Sequence, residues 1–228
     1  MTSRHLDWPG CVNVRDLGGL PLPGGVTRWQ SVVRADSLDR LTADGWAALH
    51  HYGVRTVVDL READERADAV ERPPGLTVVH VPLDDNADAD FWYRCVDDGA
   101  DGTPLYYRPF VEHKADRCVA ALTAVAEAAP GGVVVHCGIG RDRTGLVALL
   151  LLALAGVTPG AIIEDYALST ARLATYFGRD DDPIAEQLAA RGTTVEETLR
   201  DLLDWLGAGP RLGLTPSRVR AIRARLVN

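Results

Sequence analysis

The feature that most constrains the fold is the segment 136–145, His-Cys-Gly-Ile-Gly-Arg-Asp-Arg-Thr-Gly, which joins two apolar runs. Three consecutive valines occupy positions 133–135 before it, and the apolar run 146–155 follows it. β-Branched residues favour a buried strand, and a longer apolar run favours a buried helix. The sequence therefore predicts a strand that ends at Cys137, a tight loop that contains glycine, and a helix that begins near Arg143.

This predicted loop has the properties of an anion-binding site. The backbone N–H groups of residues 138–143 can surround an anion, and the helix N-terminus adds partial positive charge at the same place. Arg143 can present a planar pair of donors to a phosphate dianion. The same field favours the thiolate of Cys137 near neutral pH, and a thiolate beside a bound phosphate is a nucleophile for phosphoryl transfer. A structural buried cysteine beside a chance arginine is the competing interpretation.

Catalytic roles are therefore expected for Cys137 and Arg143. Substrate is expected to be bound by the loop and the start of the helix, through Gly138, Ile139, Gly140, Arg141, Arg143 and Thr144.

The composition argues against several classes of protein. A net charge of −8 over 228 residues argues against nucleic acid as a partner. The apolar run 146–155 is far shorter than the ~20 residues that span a bilayer, and residues 1–10 contain no apolar core of the signal-peptide type. The 4 cysteines show neither metal-ligand nor disulfide-framework spacing. We expect a cytoplasmic protein with free thiols that needs no cofactor and no metal.

The order of predicted elements indicates an α/β fold. Strands are predicted at 32–33, 54–60, 76–83 and before the loop, and Thr42 is predicted to cap a helix that ends at His51. Further helices are predicted at 110–129, 159–169, 170–177, 183–190, 193–206 and 216–226. We expect one domain, 1–228, with a central sheet flanked by helices and a mainly helical part at 157–228.

The segment 84–117 is predicted to be an insert that can act as a lid. Its first part, 84–104, is rich in Asp and Gly and includes Phe91, Trp92 and Tyr93. These aromatic residues either line a lid over the phosphate pocket or form a satellite hydrophobic cluster that anchors the segment.

Several sequence blocks carry a family resemblance. The cysteine, five residues, arginine and threonine of the loop resemble the signature of the protein-tyrosine-phosphatase superfamily. The other blocks are Asn-Val-Arg-Asp-Leu-Gly-Gly at 13–19, Arg-Ala-Asp-Ser-Leu at 34–38, Val-Val-Asp-Leu-Arg at 57–61 with Glu65-Arg66 following, Asp-Tyr-Ala-Leu-Ser at 165–169 and Gly-Leu-Thr-Pro at 213–216. Together they resemble the bacterial tyrosine/serine protein phosphatase family. The resemblance implies a protein-tyrosine-phosphatase-like fold and a cysteinyl-phosphate intermediate. The family usually carries Lys where this chain has Arg141.

Two carboxyl groups, those of Asp84 and Asp142, are the main candidates for the general acid. Asp84 follows the predicted strand 76–83, and strand ends at one edge of a sheet converge on the site. Asp84 equally fits a turn aspartate without a catalytic part. Asp142 lies in the loop itself, and the family resemblance implies an acid at this position, so we favour it over Asp84. The Asp/Gly-rich residues 97–101 are weaker candidates.

Three further residues of the loop region receive supporting roles. Thr144 either donates a hydrogen bond to the departing thiolate or caps the helix, and both can hold. His136 is predicted to orient the loop rather than to act as a base, because it faces away from Cys137 if the strand alternates. Arg141 either contacts a second acidic group of the substrate or faces solvent.

Two ion pairs are predicted outside the loop. Arg15 and Asp16 are expected to pair beside a glycine turn and to brace the loop. Asp59 and Arg61 are expected to pair at a strand end.

Three functions compete on these grounds. The leading hypothesis is a cysteine-dependent phosphomonoester hydrolase, specifically a protein tyrosine/serine phosphatase, with a phosphoinositide or a small phosphorylated metabolite as the alternative substrate. A non-catalytic phosphate-binding module would not need the thiol of Cys137. A sulfurtransferase of the rhodanese type would not need Arg143 followed by Thr144. The expected partner is thus a phosphorylated protein, lipid headgroup or metabolite.

Overall fold

The computed structural model describes residues 3–66, 72–178, 182–207 and 210–227. Its strands are β1 (Arg15–Asp16), β2 (Pro21–Leu22), β3 (Gly25–Val26), β4 (Val32–Ala35), β5 (Val54–Asp59), β6 (Thr77–His80) and β7 (Gly132–His136). Five of them form one sheet in the order β1-β4-β7-β5-β6, and β2 and β3 form a separate hairpin. Within the large sheet β4, β7, β5 and β6 are parallel, and only β1 among them runs antiparallel to its neighbour.

The central strand β7 is buried on both faces, as parallel strands usually are. Its side chains alternate between two hydrophobic clusters. Val133 and Val135 belong to the larger cluster, whereas Val134 belongs to the smaller one, together with Trp46 and Leu49. The run of valines that predicted this strand is therefore explained by apolar layers on both sides of the sheet.

Helices cover both faces of the sheet. They are α1 (Ala43–His51), α2 (Ala89–Asp97), α3 (Tyr107–His113), α4 (Ala115–Ala126), α5 (Asp142–Ala155), α6 (Pro159–Phe177), α7 (Pro183–Ala189), α8 (Val195–Leu206) and α9 (Pro216–Leu226). The predicted cap of α1 is confirmed, since the Thr42 side chain accepts a hydrogen bond from the Gly45 N–H. In the part of the chain that the structure describes, no helix combines the length and the apolar character needed to cross a membrane.

The predicted helix 110–129 is wrong as one element. Lys114 leaves the helical conformation, with φ −128° and ψ 37°, and separates α3 from α4. Its side chain is buried, and its Nζ lies 2.8 Å from the Asp88 carboxylate and 3.2 Å from that of Asp85. A buried ammonium needs such partners, and these acidic partners lie in the segment before α2.

The predicted boundary between 159–169 and 170–177 is also wrong. A single helix, α6, runs through Thr170 without a break. It begins with Pro159 in its first turn and ends at Phe177, before Gly178, whose left-handed φ of 62° is typical of a helix C-terminus. No glycine or proline lies between Gly160 and Phe177 to interrupt it.

The carboxyl ends of the parallel strands meet at one edge of the sheet. β7 leads into Cys137, β4 into Asp36 and Ser37, and β5 into Leu60 and Arg61. β6 ends at His80, four positions before Asp84 along the chain. The topology thus assembles at this edge segments that are distant in sequence, which is where open α/β sheets place ligands.

Candidate active site

The cysteine loop, residues 137–143, follows β7 and runs into the first turn of α5, in the predicted order of strand, loop and helix. Cys137 is 2% exposed. Gly140 has φ +72°, and a Cβ added there would lie 2.6 Å from the carbonyl oxygen of Ala35. Only glycine accommodates both the left-handed backbone and the close approach of β4, so the loop is pressed against the end of that strand.

Three consecutive carbonyl groups of the cysteine loop accept hydrogen bonds from outside it. The donors come from the segments around β1 and β4: Ser37 N to Gly138 O at 2.9 Å, Asn13 Nδ2 to Ile139 O at 3.0 Å, and Arg34 Nη2 to Gly140 O at 2.9 Å.

Arg143 lies in the first turn of α5 and faces two carboxyl groups. Both of its terminal nitrogens contact Glu65, with Nη2 at 2.6 Å from Oε1. Its Nη1 also lies 3.3 Å from Oδ2 of Asp84. The Arg143 side chain is 15% exposed. The predicted phosphate-binding guanidinium and one predicted acid are therefore neighbours.

The titration of Asp84 differs from that of an ordinary surface aspartate. Its pKa is raised to about 7, chiefly by burial and also by the nearby carboxyl group of Glu65, although the guanidinium of Arg143 acts in the opposite direction. The Trp92 indole donates to the Asp84 carbonyl oxygen at 3.1 Å and holds the backbone in place. A carboxyl group with this pKa can hold a proton near neutral pH, as a general acid must.

The carboxylate of Asp142, the other predicted acid, contacts the neighbouring side chain of Arg141. Nε of Arg141 lies 3.0 Å from Oδ1 of Asp142, and Nη2 of Arg141 lies 3.4 Å from Oδ2. The Tyr107 hydroxyl donates to the Asp142 carbonyl oxygen at 2.8 Å. Asp142 and Asp84 nevertheless line one cavity of about 150 Å³, whose wall consists of Asp84, Trp92, Asp101, Gly102, Tyr106, Asp142 and Arg143.

Arg141 is neither fully buried nor directed freely into solvent, since its side chain is 18% exposed. Beside its contacts with Asp142, it lines a second cavity of about 240 Å³ on the side of α6, together with Ile139 and Phe177. The loop therefore separates two cavities.

His136 is buried and electrically neutral near pH 7. Burial lowers its pKa to about 4, although the nearby Asp59 carboxylate acts in the opposite direction. Its Nδ1 lies 3.3 Å from the Cys137 carbonyl oxygen, which agrees with an orienting role. The predicted pair of Asp59 and Arg61 is confirmed, with two nitrogen–oxygen distances of 2.9 Å.

The predicted cap role of Thr144 is wrong. The N-cap position of α5 is Arg141, so Thr144 lies inside the first turn. Its Oγ1 is buried and, among the residues that the structure describes, has no hydrogen-bond partner. The predicted hydrogen bond to the departing thiolate stays a prediction.

The predicted ion pair of Arg15 and Asp16 is also wrong. Neighbouring residues of a strand point to opposite faces, so the two side chains cannot meet. Arg15 Nε lies 3.1 Å from Asp165 Oδ1, 150 positions along the chain. Asp16 accepts instead from the Gly18 N–H at 2.7 Å, from the Gln30 N–H at 2.7 Å and from the Tyr52 hydroxyl.

The aromatic residues of the segment 84–117 divide between the two predicted roles. Phe91 is buried in the larger hydrophobic cluster and anchors α2. Trp92 lines the cavity beside Arg143, whereas Tyr93 is 69% exposed. The lid itself stays a prediction.

Three residues of this site were not predicted as site residues. Glu65 contacts Arg143, and Asn13 and Arg34 contact the loop backbone. All three belong to sequence blocks that carry the family resemblance, which is the signal that pointed to them. Their contacts depend on the tertiary fold and have no local pattern.

Comparison with known proteins relates nearly all of the chain to one family. The tyrosine phosphatase family model matches residues 6–228. A tyrosine-protein phosphatase of Nostoc commune is 33% identical over 140 residues, which cover 60% of this chain and 47% of that protein, so the match spans about half the length of that relative. The triple specificity protein phosphatase PtpB of Mycobacterium tuberculosis is 30% identical over 199 residues, covering 74% of this chain and 70% of PtpB. A crystal structure of P. aeruginosa TpbA is 21% identical and covers 77% of this chain and 87% of that chain, with a TM-score of 0.36.

Proposed function

The chain belongs to the tyrosine phosphatase family, and we propose that it hydrolyses phosphomonoesters of tyrosine and serine in proteins through a cysteinyl-phosphate intermediate. The observation that carries this proposal is the position of Cys137 in a loop between a buried parallel strand and a helix N-terminus, with Arg143 six residues later. That position combines a nucleophile, an anion-binding backbone and a bidentate cation.

In the first step the Cys137 thiolate attacks the phosphorus atom. A sulfur–phosphorus bond forms and the ester oxygen–phosphorus bond breaks. Asp84 gives its proton to the leaving oxygen, and Arg143 with the loop N–H groups binds the non-bridging oxygens. The pKa of Asp84, raised to about 7 by burial, and its 3.3 Å distance from Arg143 support this residue as the acid. Asp142 is the alternative that the family resemblance supports.

In the second step water attacks the phosphorus of the cysteinyl-phosphate. The Asp84 carboxylate, left unprotonated by the first step, accepts a proton from this water. The sulfur–phosphorus bond breaks, and inorganic phosphate and the Cys137 thiolate are released. The buried Thr144 hydroxyl, which has no other partner among the described residues, is free to donate to that sulfur.

The two cavities beside the cysteine loop bear on substrate class. The cavity of about 150 Å³ contains Asp84 and Arg143, and the one of about 240 Å³ contains Ile139 and Arg141. A phosphorylated side chain with flanking peptide could occupy both. A phosphoinositide, whose headgroup carries further anionic groups, is the second candidate, because Arg141 lies in the second cavity.

The setting proposed for this activity is a single phosphatase domain, 1–228, in the cytoplasm. The cysteines are all unpaired thiols, which agrees with a reducing compartment. The segment 84–117 is proposed to act as the lid of the site, because Trp92 lines the cavity beside Arg143.

The test is phosphate release from a phosphotyrosine peptide, a phosphoserine peptide and a soluble phosphoinositide. We expect Cys137→Ser to abolish release while it still binds inorganic phosphate, because the backbone and Arg143 bind and the thiolate reacts. Cys118→Ala is the matched control: Cys118 is buried among apolar residues, and burial raises its pKa to about 12, so it plays no part as a nucleophile. Turnover retained by Cys137→Ser would contradict the covalent mechanism.

A further inference from the structure

The cysteine loop is hydrogen-bonded through its carbonyl groups to the segments around β1 and β4, which together we call the scaffold. Its carbonyls at 138, 139 and 140 accept from Ser37 N, Asn13 Nδ2 and Arg34 Nη2 respectively. These donors are supplied by the segments around β1 and β4, whose residues Asn13 and Arg34 are themselves buried. The three hydrogen bonds thus fix three consecutive peptide groups of the loop.

The direction of these carbonyl groups determines the direction of the neighbouring N–H groups. A trans peptide is planar, and its C=O and N–H point to opposite sides. If the carbonyls of residues 138, 139 and 140 point to the scaffold, the N–H groups of residues 139, 140 and 141 point away from it. Convergent backbone N–H groups form an anion-binding concavity.

The scaffold behind the loop also carries an excess of positive charge. Arg4, Arg15 and Arg34 contact a single carboxylate, Asp165, at nitrogen–oxygen distances of 2.7, 3.1 and 2.7 Å. Among the described residues no other carboxylate forms an ion pair with these arginines. Arg15 and Arg34 are 0% and 1% exposed, so solvent screens their charge poorly.

Arg34 links the cluster of arginines around Asp165 to the cysteine loop. Its Nη1 lies 2.7 Å from Asp165, and its Nη2 lies 2.9 Å from the Gly140 carbonyl oxygen. The same guanidinium therefore belongs to the buried cluster and to the loop contact. Asn13 is linked to the same cluster through Arg15, because the Asn13 Oδ1 accepts a hydrogen bond from the Arg15 guanidinium at 2.7 Å.

We propose that Asn13 and Arg34 are positioning residues that hold the loop carbonyls outward, so that the N–H groups of residues 139–141 are preorganised for the phosphate dianion. This assignment rests on the proposed phosphatase function. The guanidinium group of Arg34, in contact with the loop backbone, also adds its positive charge to the field that attracts the dianion. Preorganised donors need no reorientation when the anion arrives, which is where their catalytic benefit lies.

The experiment uses Asn13→Ala and Arg34→Lys. Asn13→Ala removes the donor to Ile139 and the acceptor of Arg15 without changing the charge. Arg34→Lys keeps the charge, but a single ammonium cannot reproduce the planar fork that reaches both Gly140 and Asp165. The control is Thr27→Val, since Thr27 is equally buried and its hydroxyl donates to Leu17 O at 2.6 Å, outside the loop.

Two properties are measured for each variant: the dissociation constant of orthovanadate, obtained from its protection of Cys137 against alkylation by iodoacetamide and followed on the Cys137 peptide, and the urea midpoint of unfolding. Asn13→Ala and Arg34→Lys are both expected to weaken the binding of orthovanadate about tenfold, as for the loss of one ordinary hydrogen bond. Thr27→Val is expected to lower the urea midpoint and to leave the affinity for orthovanadate at its wild-type value.

Two results would overturn the assignment. One is wild-type affinity for orthovanadate in both Asn13→Ala and Arg34→Lys. The other is an equal change in Thr27→Val, which would attribute the effects to general destabilisation. If Arg34→Lys does not fold, Asn13→Ala decides, because it leaves the ion pairs of Asp165 intact. Alkylation is read without turnover, so a wild-type protein that binds orthovanadate but releases no phosphate would contradict the proposed function and not this assignment.

Discussion

The two sides of the cysteine loop have opposite charge balances. On the pocket side, the guanidinium of Arg143 faces the carboxyl groups of Glu65 and Asp84. On the scaffold side, three guanidinium groups surround the single carboxylate of Asp165. The loop backbone separates a region with excess carboxyl groups from a region with excess arginines.

The titration of the two regions differs in the same way. Burial raises the pKa of Asp84 to about 7 on the pocket side, where its side chain is 19% exposed. Burial also acts to raise the pKa of Asp165, but Arg15, Arg34 and Arg4 hold it well below its usual range. The pocket side thus contains a group that can exchange a proton near neutral pH, and the scaffold side keeps a fixed charge. In this account, proton transfer takes place on the pocket side of the loop, and positioning of the loop backbone depends on the scaffold side.

The largest expected effect is the loss of the Asp165 charge. Asp165→Asn would leave three arginines without their carboxylate, two of them fully buried. Removing one partner from a buried ion pair typically costs about 3–5 kcal/mol, and we expect a loss of this size in the free energy of unfolding. Urea unfolding measures it. Glu196→Gln, which breaks the exposed pair with Arg200, is the control and should cost less than about 0.5 kcal/mol. Similar losses in the two variants would remove the proposed contrast between the regions.

The next effect concerns proton donation on the pocket side. Asp84→Asn is expected to slow the hydrolysis of alkyl phosphates by about 10²-fold, because a poor leaving group needs an acid catalyst. Hydrolysis of an activated aryl phosphate should change much less, since its phenoxide leaves without a proton. Rates for a series of aryl and alkyl phosphates measure this dependence.

The matched variant for that experiment is Asp142→Asn. If Asp142 supplies the proton, its variant shows the leaving-group dependence and Asp84→Asn does not. Uniform slowing of all substrates by Asp142→Asn would instead indicate that Arg141, which contacts both oxygens of Asp142, has moved with the loop.

A smaller effect is expected on stability as a function of pH. The folded Asp84 binds its proton more tightly than the unfolded carboxyl group, whose pKa is about 4. Its contribution is therefore fully present below pH ~4 and is lost as the pH rises to about 7. We expect Asp84→Asn to be more stable than wild type above pH 7 by an amount on the order of 2 kcal/mol, and to lose that advantage near pH ~4. Thermal unfolding across this range measures the difference, and a constant difference would contradict the raised pKa.

The smallest effect is expected from the partner of Arg143. Glu65 is 34% exposed, so Glu65→Gln should change the free energy of unfolding by less than about 1 kcal/mol. Its bidentate contact nevertheless fixes the guanidinium plane, and we expect kcat/KM to fall severalfold. Steady-state kinetics with a phosphotyrosine peptide measure it. An unchanged kcat/KM would show that Arg143 is positioned without Glu65.

The sequence predicted the parts of the site whose signals are local. The valine run before Cys137, the glycines after it and the apolar run of α5 lie within a short segment, and their order predicts the strand, the loop and the helix. The cap of α1 by Thr42 is equally local. These elements need only short-range backbone preferences and burial.

The sequence did not predict the contacts that depend on packing between distant segments. Arg15 was assigned to its neighbour Asp16, but its partner Asp165 lies 150 positions away on α6. The break at Lys114 depends on the acidic residues before α2, which no pattern within 110–129 reveals. The preference for Asp142 as the acid came from resemblance, whereas the support for Asp84 comes from its burial, which only the fold creates.

The most direct test of the proposed mechanism is a rapid acid quench during turnover of an activated aryl phosphate, followed by mass measurement of the peptide that contains Cys137. The covalent mechanism predicts one added phosphoryl group on that peptide in wild type and in Asp84→Asn. The group should be absent from the same peptide of Cys137→Ser. Turnover at the wild-type rate with no phosphoryl group on Cys137 at any quench time would contradict it.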